Sequence, residues 1–268
     1  MKEINRGAIL PLLKEAAEAY WHQLEEQVTP KLGEREKSLL DWLFVQYQDE
    51  DKKRWYDPCH ILFSTKFALE LVDKENLDPL IVAGIILHDI GYFALKDKSQ
   101  WSAKESRITH MQEGTPRAAK VLYDNGFTSL EVEKTLGMIS VHDNPYIGIP
   151  IQGEARLGLR DCDRVWVMHM LSFYKDLVSR PERCKKPREF LHDRMTQFYG
   201  WEHPFGAQWK VTLNRVVKNA ERIELPRYDV TKEYVTKQFE RRIQEMDDGL
   251  VLDEDEFGEY LKNQIGIE

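Results

Sequence analysis

The chain has 268 residues, 42% of them hydrophobic and 31% charged, with only 15 Gly and 11 Pro, which excludes collagen-like, low-complexity and disordered classes. With 46 acidic against 38 basic residues the formal net charge is −8, which disfavours an obligate nucleic-acid partner because a phosphodiester backbone would be repelled. The strongest apolar run, Pro79 to Ile90, spans about a dozen residues and contains His88 and Asp89, short of the roughly 20 needed to cross a bilayer.

In chain order, a helix is expected over 6–28, with Ala8, Leu12, Ala16, Ala19 and Trp21 as an approximate apolar stripe that Thr29-Pro30 breaks. A second helix runs from about Glu34 to Tyr47. A third follows Pro58 and opens beside His60, burying Ile61, Phe63, Phe67, Leu69 and Leu71. Leu77-Asp78-Pro79 reads as a helix start, and the helix that follows is apolar nearly all round until His88-Asp89, so it should be buried. Gly91 is a plausible stop, and Tyr92 to Arg107 reads as a polar loop long enough to be functional. Helices then run from about His110 to Asn125 and from Ser129 to Val141, with Asp143 to Gly158 as loop and a single helix over 159–178. Pro181 and Pro187 punctuate the chain, and three further helices follow, with an acidic stretch at Asp253 to Glu256 expected at a solvated helix end.

There is almost no strand signal. The expectation is an all-α chain in a single helical domain: a core over about 56–177, N-terminal helices over about 6–50 and a C-terminal helical extension over about 182–268. No secretory signal is apparent at the N-terminus, so the protein is expected to be cytoplasmic. Cys59, Cys162 and Cys184, odd in number and widely spaced, suit reduced packing thiols.

Six potential metal ligands, His60, His88, Asp89, His110, His142 and Asp163, fall at or near helix ends within about a hundred residues. Adjacent His and Asp at the end of one helix offer an imidazole and a carboxylate about 100° apart. Burying an unpaired carboxylate costs several kcal/mol, so Asp89, at the end of an apolar helix, requires a cation or a dense hydrogen-bond network. His22, His169, His192 and His203 read as ordinary core or surface residues.

The residues Asp57-Pro58-Cys59-His60, Leu87-His88-Asp89-Ile90-Gly91 and Asp161-Cys162-Asp163-Arg164 together resemble the signature of the HD-domain superfamily of metal-dependent phosphohydrolases, over about Tyr56 to Leu177, under half of the chain. The resemblance implies an HD helical bundle with added N- and C-terminal helices. It also implies that the final ligand is Asp163, the Asp directly before a basic residue, with Asp161 as the fallback or a supporting partner. In members with two metals, two more histidines lie between the pair and the last Asp. His110, opening His110-Met111-Gln112-Glu113-Gly114, and His142 match that pattern. The implied division is His60, His88 and Asp163 on one ion, His110 and His142 on the other, and Asp89 spanning both.

One or two divalent ions, manganese, iron, magnesium or cobalt, are therefore the expected cofactors, activating water for attack on a small phosphate ester of nucleotide-like character. Arg107 and Arg164 are the first choices for orienting the phosphate, beside Asp89 as catalytic residues, with Lys96, Lys104 and Tyr146 as further substrate contacts and Tyr92 or Trp101 as stacking faces. Asp143 is a supporting partner or an acid. The alternative implied by the same ligands is a mixed-valence di-iron oxygenase cleaving a C–C or C–P bond of a polyol or phosphonate. A third is a non-enzymatic ligand-binding module. Phosphate-loop, dinucleotide-turn, nucleophile-elbow and His-Glu-x-x-His motifs are missing, as is the Gly-Tyr-Pro signature of the cyclic-di-GMP phosphodiesterases. No membrane partner is expected, and the terminal extensions could shape the pocket or form a homodimer contact.

Overall fold

A computed structural model of the chain describes residues 6–95, 104–199, 227–247 and 254–265. Its elements are α1 (Arg6–Val28), α2 (Glu34–Gln46), α3 (Asp57–Glu75), α4 (Leu80–Leu87), α5 (Lys104–Asp124), α6 (Ser129–Ile139), α7 (Glu154–Val165), α8 (Met170–Val178), α9 (Pro181–Lys185), α10 (Pro187–Tyr199), α11 (Asp229–Asp247) and α12 (Glu254–Gln264). Short 3-10 turns connect several of them. Among the described residues there is no strand, and the chain is all-α. No helix of the described residues is long and apolar enough to cross a membrane.

The chain divides into two compact units, one of them Leu24–Asp163 and the other drawn from the flanks on both sides. The boundaries fall inside α1 and between Asp163 and Arg164 of α7.

At the centre of the Leu24–Asp163 unit is α4, all eight of whose residues are buried. Asp78 starts it, its Oδ1 accepting the Leu80 N–H at 3.0 Å. Helices α2, α3 and α6 pack around it. Fully burying each large aliphatic side chain of α4 is worth about 1.5–3 kcal/mol, enough to hold a polar residue pair at its far end. Thr128 and Glu131 form a capping box at the start of α6. The same Glu131 accepts both Arg35 Nη1 at 3.1 Å and Nη2 at 2.9 Å, tying α2 to α6. Helix α5 stops at Gly126, whose φ of +77° suits glycine, and the Phe127 N–H returns to the Leu122 carbonyl at 3.1 Å.

Two expectations are corrected here. Helix α5 begins at Lys104, six residues before His110, because Ser106 and His110 give its first turns a buried side. The expected loop over Tyr92 to Arg107 therefore shrinks from both ends: Ile90–Ala94 is a 3-10 turn, and Arg107 is helical. Likewise the loop expected over Asp143 to Gly158 ends at Glu154, where α7 starts, and Asn144–Ile147 within it is a 3-10 turn.

In the other unit the single helix expected over 159–178 is broken at Trp166–Met168. The cause is His169. Its ring is sandwiched between Tyr20 at 5.1 Å and Trp166 at 4.6 Å, and its Nδ1 accepts the Leu171 N–H at 3.3 Å, capping α8. Buried Arg194 of α10 fastens this stretch, donating to the Val167 carbonyl at 2.8 Å, to Ser172 Oγ at 2.9 Å and to Asp176. Of the acidic stretch, Glu254 to Glu256 open α12, a helix end as expected, where negative charge favours the N-terminal dipole. Cys59, Cys162 and Cys184 form no disulfide and are buried.

Candidate metal centre

All six expected ligands belong to the Leu24–Asp163 unit and converge in it. His60 lies in the first turn of α3, which Asp57 and Pro58 start. His88 and Asp89 follow the last residue of α4. His110 sits in the second turn of α5, His142 three residues past the end of α6, and Asp163 in α7. The four imidazoles and Asp163 are buried, with His110 fully so.

Asp89 is the shared element. Its Oδ1 lies 3.5 Å from His88 Nε2, 3.7 Å from His110 Nε2 and 3.8 Å from His142 Nε2, while Oδ2 lies 3.7 Å from His60 Nδ1. Asp163 Oδ1 closes the opposite side, 3.1 Å from His60 Nε2 and 3.5 Å from His88 Nε2. Two groups with ion-holding geometry result, His60-His88-Asp89 and Asp89-His110-His142, the ligand atoms within each lying no more than 4.8 Å apart. It is Asp163 that meets the imidazoles; Asp161 is buried two residues earlier.

Three of the rings are oriented by the backbone. Nδ1–H donates to the Ile85 carbonyl from His88 at 2.7 Å, to the Ser106 carbonyl from His110 at 3.2 Å, and to the Ile139 carbonyl from His142 at 2.7 Å. A carbonyl can only accept, so each Nδ1 carries a proton and each Nε2 faces the cluster. The chemistry of this donor set fits cations. His88 Nε2 is buried without a hydrogen-bond partner, and the His110 and His142 Nε2 atoms face each other at 3.0 Å, where two lone pairs repel unless a positive charge sits beside them.

Burial pushes the Asp89 carboxyl up, but the surrounding His88, His142, His110 and His60 more than reverse this and hold it well below the ordinary range. Burial lowers His88, yet Asp89 and Asp163 raise it to about 9, so between these two carboxylates its Nε2 holds a proton at pH 7 that a bound ion would displace. His110 is lowered to about 4 by burial and then by His142, so its ring is neutral at pH 7 and its lone pair available.

Around the ligands lies a second layer. The Tyr92 ring stacks on His110, centroids 4.3 Å apart and 4° from parallel. Arg107 Nη1 donates to Asp143 Oδ2 at 2.7 Å, and Asp143 Oδ1 lies 3.6 Å from Arg160 Nη1, which also donates to the His142 carbonyl. Asp143 Oδ2 is 4.0 Å from His110 Nε2. Arg54 Nη2 donates to Asp89 Oδ2 at 3.3 Å. The 3-10 turn after Asp89 lies directly on α5: a Cβ added at Gly91 would fall 1.7 Å from the His110 carbonyl oxygen.

Of the expected substrate contacts, Arg107 stands at the rim of this cluster, its side chain 20% exposed. Buried Arg164 belongs to the other unit. Lys104 opens α5 and Tyr146 lies in the 3-10 turn after Asp143, their side chains outside the described residues; Lys96 and Trp101 lie outside them altogether. The sequence reading missed Arg54, Asp57 and Arg160. Arg160 had a usable signal, since it stands three residues before Asp163 on the same helical face. A scan against protein-family models, a search of curated proteins and a search of solved structures each find no match to this chain.

Proposed function

We propose that the chain is an HD-type, metal-dependent phosphohydrolase that holds two divalent ions and hydrolyses a small phosphate ester of nucleotide-like character. The observation that carries this reading is Asp89, one carboxylate shared by two ligand groups, with Nε2 of His88, His110 and His142 and Nδ1 of His60 turned toward it. His60, His88, Asp89 and Asp163 would hold one ion, and Asp89, His110 and His142 the other. When bound, such a pair supplies Lewis acidity toward a phosphoryl oxygen and a nucleophilic water at neutral pH. Hydrolysis then forms one P–O bond from water and breaks the ester P–O bond, with the alcohol leaving as it takes up a proton.

The chain's own residues would supply the rest. Arg107, steadied by Asp143, would orient a phosphate at the rim, since a guanidinium fork matches two phosphate oxygens. Stacked Tyr92 shields His110 from water and keeps its ring in plane. Asp143, itself held by two arginines, fixes the chain just after His142.

The test is elemental analysis of the purified protein beside Asp89→Ala, followed by phosphate release from a panel of nucleotides and other phosphate esters. About two equivalents of manganese, magnesium or cobalt, lost in the variant, with phosphate released only by the wild type, is the expected result. Two equivalents of iron with dioxygen uptake on polyols or phosphonates would instead favour the di-iron oxygenase. Equal absence of metal from both proteins after reconstitution would overturn the metal-centre reading.

A further inference from the structure

Arg54 stands outside every motif that the metal ligands form, yet it reaches their shared carboxylate. It is held in three ways. Asp57 accepts the Arg54 backbone N–H at 2.7 Å on Oδ2 and its Nε–H at 2.8 Å on Oδ1, so one carboxylate fixes both ends of the residue. The guanidinium carbon lies 4.9 Å from the ring centres of both Tyr56 and Tyr92. Its Nη2 donates to Asp89 Oδ2. Asp57 is buried and is also the first residue of α3, three positions before His60, so the clamp is built on the helix that carries a ligand.

The consequence lies in how Asp89 is divided. A carboxylate on a short side chain can rotate, and either oxygen could face either ligand group. Here Oδ2 is on the side of His60 and Arg54, and Oδ1 faces His88, His110 and His142. We propose that Arg54 is a positioning residue: braced by Asp57 and two tyrosine rings, it pins Oδ2 of Asp89 and thereby presents Oδ1 to the His110-His142 group. The inference rests on the two-ion reading above. A lysine at this position would keep the charge but lose the planar fork that serves Asp57 and Asp89 together.

The experiment titrates manganese into metal-free wild type, Arg54→Ala, Arg54→Lys and Asp57→Asn. It reads the two dissociation constants, the exchange-coupled signal of a manganese pair by electron paramagnetic resonance, and the melting temperature of each metal-free protein. Partners of metal ligands typically change affinity 10–100-fold when lost. The weaker site of Arg54→Ala should therefore lose at least about 10-fold, with the coupled signal diminished, while Arg54→Lys recovers only part of it. Asp57→Asn, which leaves Arg54 in place without its brace, should fall between and stands in for Arg54→Ala if that variant does not fold. Wild-type constants and coupling in both Arg54→Ala and Asp57→Asn would overturn the proposal, even if their melting temperatures fell, since that is what a purely structural arginine would give. A wild type that binds no manganese would overturn the two-ion reading itself, a different outcome from a wild type and variants that bind it alike.

Discussion

Replacing Gly91 with alanine adds one methyl group where no side-chain movement can make room. The new Cβ would lie 1.7 Å from the carbonyl oxygen of His110, 2.6 Å from its carbonyl carbon and 2.7 Å from the Gly114 nitrogen, all of them backbone atoms. Restoring even a close contact requires the 3-10 turn and α5 to separate by at least about 1.3 Å. Asp89 stands two residues before Gly91, and its Oδ1 is 3.7 Å from His110 Nε2. Metal–ligand bonds tolerate only about 0.2 Å, so a displacement of this size should abolish the Asp89-His110-His142 group while leaving His60, His88 and Asp163 in reach of an ion. Overpacking of this kind also costs about 1–3 kcal/mol of stability. Gly126→Ala is the control: φ is +77° there and nothing lies within 4 Å of the added Cβ, so it should cost about 1 kcal/mol through backbone strain alone. Metal stoichiometry after dialysis against manganese, with urea unfolding of the metal-free proteins, gives both quantities. Gly91→Ala should hold about one ion fewer than Gly126→Ala. Two ions at wild-type affinity in Gly91→Ala would refute the argument that this backbone contact sets Asp89 against His110.

Other expectations follow from the same structure. His142→Ala should lose one ion and keep the other by elemental analysis, because His142 belongs to only one of the two ligand groups; loss of both would show a single cooperative centre. Removing metal with a chelator should lower the melting temperature, since an ion at a hundred times its dissociation constant stabilises by about 2.7 kcal/mol; an unchanged transition would argue against bound metal. Burial pushes Asp176 up, but Lys175 and Arg194 more than offset this and hold it well below the usual carboxylate range. Its contribution is complete above about pH 4 and is lost as pH falls toward its folded value. Asp176, 29% exposed, is partly screened, so Asp176→Asn should cost about 1–2 kcal/mol at pH 7 and progressively less below pH 4 in urea unfolding, and an equal cost at both would contradict the pairing. The thiols of Cys59 and Cys162 are pushed above their usual range by burial, and Cys184 is buried as well, so a disulfide reagent should label the protein only as it unfolds; fast labelling of the native state would show that these sites open.

The fold class and the six clustered side chains were legible because helix periodicity and helix ends are local properties. His88-Asp89 after eight apolar residues, and His142 after the apolar end of α6, announce themselves by polarity where a core helix stops. Arg54 was not legible, since a charged residue in a polar stretch looks like any solvated one until Asp57 and Asp89 are placed around it. The first six residues of α5 escaped for the opposite reason: Lys104 to Thr109 is polar, and only the buried sides of Ser106 and His110 give it an inner face. The break after Val165 depends on His169 meeting Tyr20, a residue nearly 150 positions away, which no local window contains. The Gly91 contact with α5 is equally non-local.

The acceptors that hold three of the imidazoles are peptide carbonyls, those of Ile85, Ser106 and Ile139. In many metal sites a carboxylate plays this part, and one substitution removes it. A peptide carbonyl survives every side-chain replacement, and it has no proton to lose between pH 4 and 10. Holding the rings therefore places no demand on residue type at these three positions, where burial is what constrains Ile85 and Ile139, and proline and other helix-breaking changes are the ones that would misaim the ligands. Much of what aims these ligands is thus inherited as backbone geometry and leaves no mark in residue identity.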